Sequence, residues 1–461
     1  MPVTNHFTPK VCTYLCLVMI VVLNACTKIN EAGIITGDAP SSLSTATKKN
    51  IIIILEDDIG YEIPTYTGGQ SYSTPQMDFL SKKGMQFTHF YASAMCSPSR
   101  VMLLTGKYGF RNYHNWGSLD TTQKTIANML RDYGYATCVT GKWQLDGGDV
   151  SIHKFGFNEY CVFDPFEEKD SSDEEENKHR YKNPTLYQNG SYLPSSVTNG
   201  KYSDDIFAAY ATSFIEKNKQ NNFFLYFSFS ECHVPFTPPP NHPRYPSFDP
   251  LTDYGDKQYF PYMVSYMDSK INTIIHKVVQ AGLADKTYIF IMADNGTEST
   301  ITSKYKGRQI QGGKRFTNEF GLHVPFIALG PLVLPGSINK NIVDFTDFMP
   351  TIATIASIPK TKWSNYGIMD GQSFFSQLSN PGVTGRSWSY GNYFPYPKLL
   401  WQKRVYVQDT AYKLYDSTNN NNFYNLQTDS LEQHPIPNSQ LTESERAIKK
   451  NFKHVLATMH N

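Results

Sequence analysis

The run Asn50-Ile51-Ile52-Ile53-Ile54-Leu55 constrains the fold of this 461-residue chain more than any other stretch. Consecutive β-branched side chains favour extended backbone, and a run without polar alternation suits a strand buried on both faces, the kind found in the middle of a parallel sheet. Similar segments recur at Phe87–Tyr91, Tyr135–Thr140, Phe223–Phe229 and Thr287–Ala293. Helical patterns fall between them. One opens at Thr74-Pro75, with Thr74 as its N-cap, and stops at Gly84; others cover about 122–133, Ser203–Lys217 and about 262–280, the last burying Ile271, Ile274, Ile275, Val278 and Val279. This alternation predicts an α/β fold: a large, mostly parallel sheet sandwiched by helices, with a site at the C-terminal ends of the strands. From about Pro381 the texture changes to short Tyr-, Asn- and Lys-rich strand candidates, including 401–408 and 411–415, and a final helix with a Thr442/Glu445 capping box. These predict a small C-terminal antiparallel sheet with one helix.

Polar residues stand where the strands should end. Glu56-Asp57-Asp58-Ile59-Gly60 follows the isoleucine run, and Asp294-Asn295-Gly296 follows Thr287–Ala293. Each string alone suits a turn. Two oxygen-rich pairs at equivalent ends of buried strands instead suit a hard cation such as calcium, which takes carboxylate and amide oxygens. Between them lies Ala94-Met95-Cys96-Ser97-Pro98-Ser99-Arg100 leading into Val101–Gly106, which places Cys96 at a helix N-terminus, where unpaired amides favour developing negative charge.

Cys96-x-Pro98-Ser99-Arg100 followed by Leu103-Leu104-Thr105-Gly106 resembles the signature of the type I sulfatases, and further motifs follow in that family's order through residues 48 to 435. The resemblance implies an alkaline-phosphatase-like fold and hydrolysis of sulfate esters, most readily on a sulfated carbohydrate. It implies that a maturation enzyme oxidises Cys96 to formylglycine, and that Asp57, Asp58, Asp294 and Asn295, with the oxidised Cys96, hold Ca2+. It carries catalytic roles onto Arg100, Lys142, His233 and Lys314. Gln144 occupies the position of a family histidine, and glutamine cannot exchange a proton near neutral pH. Gln144 is a substrate-contact position, as is His114 in Arg111-Asn112-Tyr113-His114, where a solvated loop residue is the plainer alternative. Two other functions stay open: phosphoester hydrolysis on the same superfold, and an inactive lipoprotein that binds sulfated glycan.

The chain's start suggests export. Val11–Leu23 is an uncharged apolar run too short to span a bilayer, and it ends in Leu23-Asn24-Ala25-Cys26, which resembles a bacterial lipobox. The expected organisation is a signal peptide over 1–25, lipidated Cys26 and a tether over 26–47, a catalytic domain over 48–380 and a subdomain over 381–461, on a periplasmic or outer-membrane lipoprotein. A net charge of +1 offers no broad basic face for nucleic acid. Cys138, Cys161 and Cys232 give no argument for pairing. Glu167 to Arg180 reads as a solvated charged loop.

Overall fold

The computed structural model describes residues 48–145, 147–163, 179–394 and 403–459. The signal and tether segments, Cys26 and most of the charged loop lie outside the described residues.

The isoleucine run forms β1, Asn50–Glu56, buried along its whole length. In chain order there follow β2 (Met85–Tyr91), β3 (Ala136–Lys142), β4 (Glu159–Phe163), β5 (Leu186–Gln188), β6 (Ser191–Tyr192), β7 (Phe223–Ser228), β8 (Thr287–Ala293), the hairpin β9 (Thr302–Tyr305) and β10 (Arg308–Gln311), β11 (Phe326–Leu329) and β12 (Ser337–Asp344). Ten of these make one sheet in the order β12-β2-β11-β8-β1-β7-β3-β4-β5-β6. β1 lies between β7 and β8 and is parallel to both, with Ile53 paired to Tyr226 and Phe290. β3 is parallel to β7 and β4. β11 runs against β8 and β2, and β5 against β4 and β6, so the remaining strands share one direction. The C-terminal ends of β1, β2, β3, β7 and β8 therefore gather along one edge of the sheet.

The helices follow the sequence patterns, with physically explicable differences. The helix Pro75–Lys83 forms as expected, but the Thr74 side chain does not cap it. Its Oγ1 accepts from the Thr65 amide instead, and the Asp268 carboxylate accepts from the amides of Gln76 and Met77, both at 2.9 Å. The helix expected over about 122–133 starts at Ile126, later than the apolar spacing suggests, because Thr125 and Asn128 form a capping box. Ser203–Lys217 is as read. In the helix Phe260–Gln280 the core face carries Met263, Met267, Ile271, Ile274 and Val278, while Val279 is 60% exposed, one position beyond that face.

A second sheet of four antiparallel strands lies in the C-terminal part: β13 (Ser389–Tyr393), β14 (Arg404–Gln408), β15 (Tyr412–Tyr415) and β16 (Phe423–Asn425). Residues 401–402 of the expected strand are outside the described residues, and β13 was not legible in the pattern. The helix Glu443–Met459 buries Phe452, Val455 and Leu456 against this part, and Thr442 and Glu445 cap one another as read. Cys96, Cys138, Cys161 and Cys232 are all buried free thiols.

Candidate active site

Asp57 and Asp58 leave the end of β1, and Asp294 and Asn295 leave the end of its neighbour β8. The backbone locks the two ends together: the Asp294 amide donates to Glu56 O at 3.0 Å, and the Asp58 amide to Asp294 Oδ1 at 3.2 Å. Asp58 adopts φ 59°, a left-handed conformation that costs a non-glycine residue about 1–2 kcal/mol and turns its carboxylate back toward its neighbours. The result is three fully buried carboxylates, Asp57, Asp58 and Asp294, with oxygens within 4.8 Å of one another.

Three cations answer them one for one. Lys142 Nζ lies 2.6 Å from Asp57 Oδ2, and Lys314 Nζ 2.6 Å from Asp58 Oδ2. Arg100 reaches Asp294 Oδ2 with Nε at 3.1 Å and Nη2 at 2.7 Å. The compensation is incomplete. Burial raises Asp294 to about 7, a push reinforced by Asp57, and Arg100 at bonding distance does not reverse it. Burial also raises Asp58, against the pull of Lys314. Burial would raise Asp57 as well, but Lys142, Arg100 and Lys314 together hold it below the usual range.

Among the described residues two oxygens have no hydrogen-bond partner, Asp57 Oδ1, which lies 3.7 Å from Arg100 Nη2, and Asn295 Oδ1. Asn295 is oriented by its own amide, which donates to Asp58 Oδ1 at 2.7 Å and Gly296 O at 2.9 Å. Clustered, buried hard oxygens, two of them without a hydrogen-bond partner among the described residues, fit a divalent ion such as calcium. The Cys96 thiol is not part of this group.

Cys96 is the first residue of the wholly buried helix Cys96–Thr105, reached from β2 through a turn that Ser99 closes by accepting from the Ser93 amide and donating to Ser93 O. Its side of the helix has a positive field, yet burial pushes the thiol up despite Lys142 and Lys314, so an unmodified Cys96 is no thiolate nucleophile. Arg100, one turn on, is fully buried and also donates through Nη1 to Lys142 O at 3.0 Å and to Ser228 Oγ. It thereby ties the ends of β3, β7 and β8 to the helix that starts at Cys96. Those strand ends come close because residue 141 is glycine: a Cβ there would sit 1.6 Å from Ser228 O.

His233 follows β7 and is half-buried. Its Nδ1 donates to Val234 O at 2.6 Å, which leaves Nε2 with the lone pair and with no hydrogen bond among the described residues. Burial and the charges of Lys314, Lys142 and Arg180 depress its basicity well below the ordinary range, so the neutral ring presents a lone pair, not a proton. The Tyr181 hydroxyl fixes the segment by contacts to Ser230 O at 2.7 Å and His233 O at 2.6 Å. Arg180, stacked on Phe163 at 4.8 Å and acting electrostatically on Asp57 and His233, belongs to the site although the sequence offers it only as the end of a charged loop.

Two expected residues make no hydrogen bond or ion pair to the carboxylates among the described residues. Gln144 is half-exposed at φ 62°; its carbonyl accepts from the Ser97 hydroxyl at 3.4 Å, and its side-chain amide makes no hydrogen bond among the described residues. His114 is exposed and lines a 180 Å³ cavity with Phe110, Asn392 and Lys403, without a hydrogen bond or ion pair to the carboxylates among the described residues.

A family model described as Sulfatase matches residues 49–358, more than half of the chain. Over 415 residues the chain is 29% identical to an N-acetylgalactosamine-6-O-sulfatase of Bacteroides thetaiotaomicron, covering 74% of this chain and 78% of that protein. Among solved structures, Ps i-CgsB in complex with k-i-k-neocarrahexaose superposes with a TM-score of 0.70 at 23% identity, covering 90% of this chain and 93% of that one. A second, determined with its substrate D-glucosamine-2-N,6-O-disulfate, superposes with a TM-score of 0.70 at 21% identity, covering 90% and 97%.

Proposed function

The chain belongs to the sulfatase family, whose members are sulfuric ester hydrolases, and from that premise we propose that it removes sulfate from a sulfated carbohydrate with Cys96 oxidised to formylglycine and a bound calcium ion. The observation that carries this reading is the buried triad of carboxylates beside the N-terminus of the Cys96 helix, matched by Lys142, Lys314 and Arg100. Asp57, Asp58, Asp294 and Asn295 would hold the cation, which would supply positive charge toward a sulfate oxygen. The hydrated aldehyde of the oxidised Cys96 would supply the nucleophile. Lys142 and Lys314 place buried ammonium groups at the same edge, where they would neutralise the ester's negative charge. Lys314 stays protonated, because Asp58 and the other carboxylates outweigh its burial, and is the candidate to donate to the leaving oxygen. His233, neutral and with the lone pair on Nε2, is suited to accept a hydrogen bond. Arg100 orients Asp294 and the strand ends.

Sulfated sugars are favoured as substrates because the relative from B. thetaiotaomicron acts on N-acetylgalactosamine-6-sulfate groups by its name, and a structural neighbour was determined with a disulfated glucosamine. Export and lipidation at Cys26 rest on the apolar run that precedes it. The deciding experiment offers the native protein a panel of sulfated mono- and oligosaccharides beside the matching phosphate esters. Sulfate release from the sugars supports the reading. Turnover of phosphate esters alone, or a plain Cys96 thiol in a protein that binds sulfated sugar without turning it over, would overturn it.

A further inference from the structure

The loop that carries Lys314 is anchored on three sides. The Lys314 amide donates to Thr297 O at 2.9 Å, beyond the metal-side strand β8, and the Arg315 amide donates to Ala94 O at 2.8 Å, just before Cys96. The third anchor is the C-terminal sheet. Lys413 and Tyr415 stand on one face of β15 and point at Thr317: Lys413 Nζ donates to Thr317 O, and the Tyr415 hydroxyl pairs with Thr317 Oγ1 at 2.7 Å. Glu432 braces both, with Oε1 2.9 Å from Lys413 Nζ and Oε2 2.5 Å from the Tyr415 hydroxyl. Lys413 is fully buried, with its ammonium 4.1 Å from the centre of the Tyr406 ring.

The loop between these anchors has little slack. A Cβ on Gly313 would lie 2.2 Å from Phe320 C, and one on Gly321 would lie 1.8 Å from Phe316 O, so the two limbs pack backbone against backbone. A shift at Thr317 must therefore travel to Gly313 and its neighbour Lys314.

We propose that Lys413 is a positioning residue: through Thr317 it fixes the loop that aims Lys314 at the sulfate ester, which makes the C-terminal sheet part of the catalytic apparatus. This rests on the reading of Lys314 given above. The step is purely geometric, and Lys413 touches no reacting atom.

The test replaces the buried pair together, as Lys413→Met with Glu432→Leu, because exchanging a buried ion pair for apolar groups of similar size commonly leaves stability near wild type. With 4-nitrophenyl sulfate as probe, the double variant should melt near the wild-type temperature, while kcat falls roughly 10- to 100-fold, the usual loss when the support of a site residue is removed, and KM moves little. In a Lys314→Ala background the same replacement should cost nothing more. Tyr415→Phe, which keeps the ring and deletes only the hydroxyl, should lower kcat in the same direction and serves if the pair replacement does not fold. Wild-type kcat in a folded pair variant and in Tyr415→Phe, or an undiminished loss in the Lys314→Ala background, would overturn the positioning role. A Lys314→Ala protein with wild-type turnover would overturn the assignment of Lys314 itself, and the proposal with it.

Discussion

Arg100 grips one oxygen of Asp294 with two nitrogens and so leaves the other, Oδ1, facing the Asp58 amide. The same guanidinium holds Lys142 O and Ser228 Oγ. Arg100→Ala should therefore destabilise the apoprotein by about 3–5 kcal/mol, the usual cost of leaving a buried charge and its acceptors unpaired. Arg100→Lys, which keeps the charge without the fork, should fall between. Denaturant unfolding measures this, and a wild-type midpoint for Arg100→Ala would contradict it.

Metal removal should act on stability and turnover together. Chelation should lower the melting temperature and stop sulfate release, and added calcium should restore both, because binding to the folded state alone stabilises by mass action. Asp57→Ala and Asp294→Ala should lose turnover on the order of 1,000-fold and should no longer respond to calcium. An Asp294→Ala protein that keeps a calcium-dependent melting shift would place the ion elsewhere.

Position 144 carries an amide where related enzymes carry an imidazole by resemblance. Gln144→His should remain active and should add one ionisation to the pH–rate profile, near the ordinary histidine value of about 6.5. An unchanged profile would mean that this side chain does not reach the reacting group. Its left-handed φ of 62° yields a separate expectation: Gln144→Gly should relieve about 1 kcal/mol of backbone strain while slowing turnover.

Stability should fall as pH rises through neutrality, and Asp204 is one identifiable cause. Burial pushes its carboxyl up to about 7 in the folded protein, although it accepts from the Ser230 amide and the Ser203 hydroxyl. A folded value above the unfolded one means that the folded state binds the proton more tightly between the unfolded value of about 3.9 and 7, so its contribution is full below that window and lost above it. Asp204→Asn should flatten the dependence of the melting temperature on pH across that range. An equally steep curve in the variant would assign the effect to other buried carboxyls.

Asp57, Asp58, Lys142, Asp294 and Asn295 were legible in the sequence because each directly ends or follows a strand whose apolar run is unmistakable, and a parallel sheet brings such ends together whatever the intervening loops do. Cys96 was legible for a similar reason, as the start of an apolar helix. Arg180, Lys413 and the cap supplied by Asp268 were not. Their partners are Phe163 and the charges around Asp57, Thr317 in a distant loop, and the amides of Gln76 and Met77. No periodicity records such contacts, since they are set by how the packed layers meet. The protonation of His233 was also hidden: its position after β7 marked it as a site residue, but only the bond to Val234 O shows which nitrogen carries the proton.

Cys96 is 2% exposed and sits inside a helix with no exposed residue. Once β2 and that helix are packed against the sheet, the thiol presents almost no surface to a second protein. If Cys96 is converted to formylglycine, a maturation enzyme meets the thiol more openly before this packing than after it.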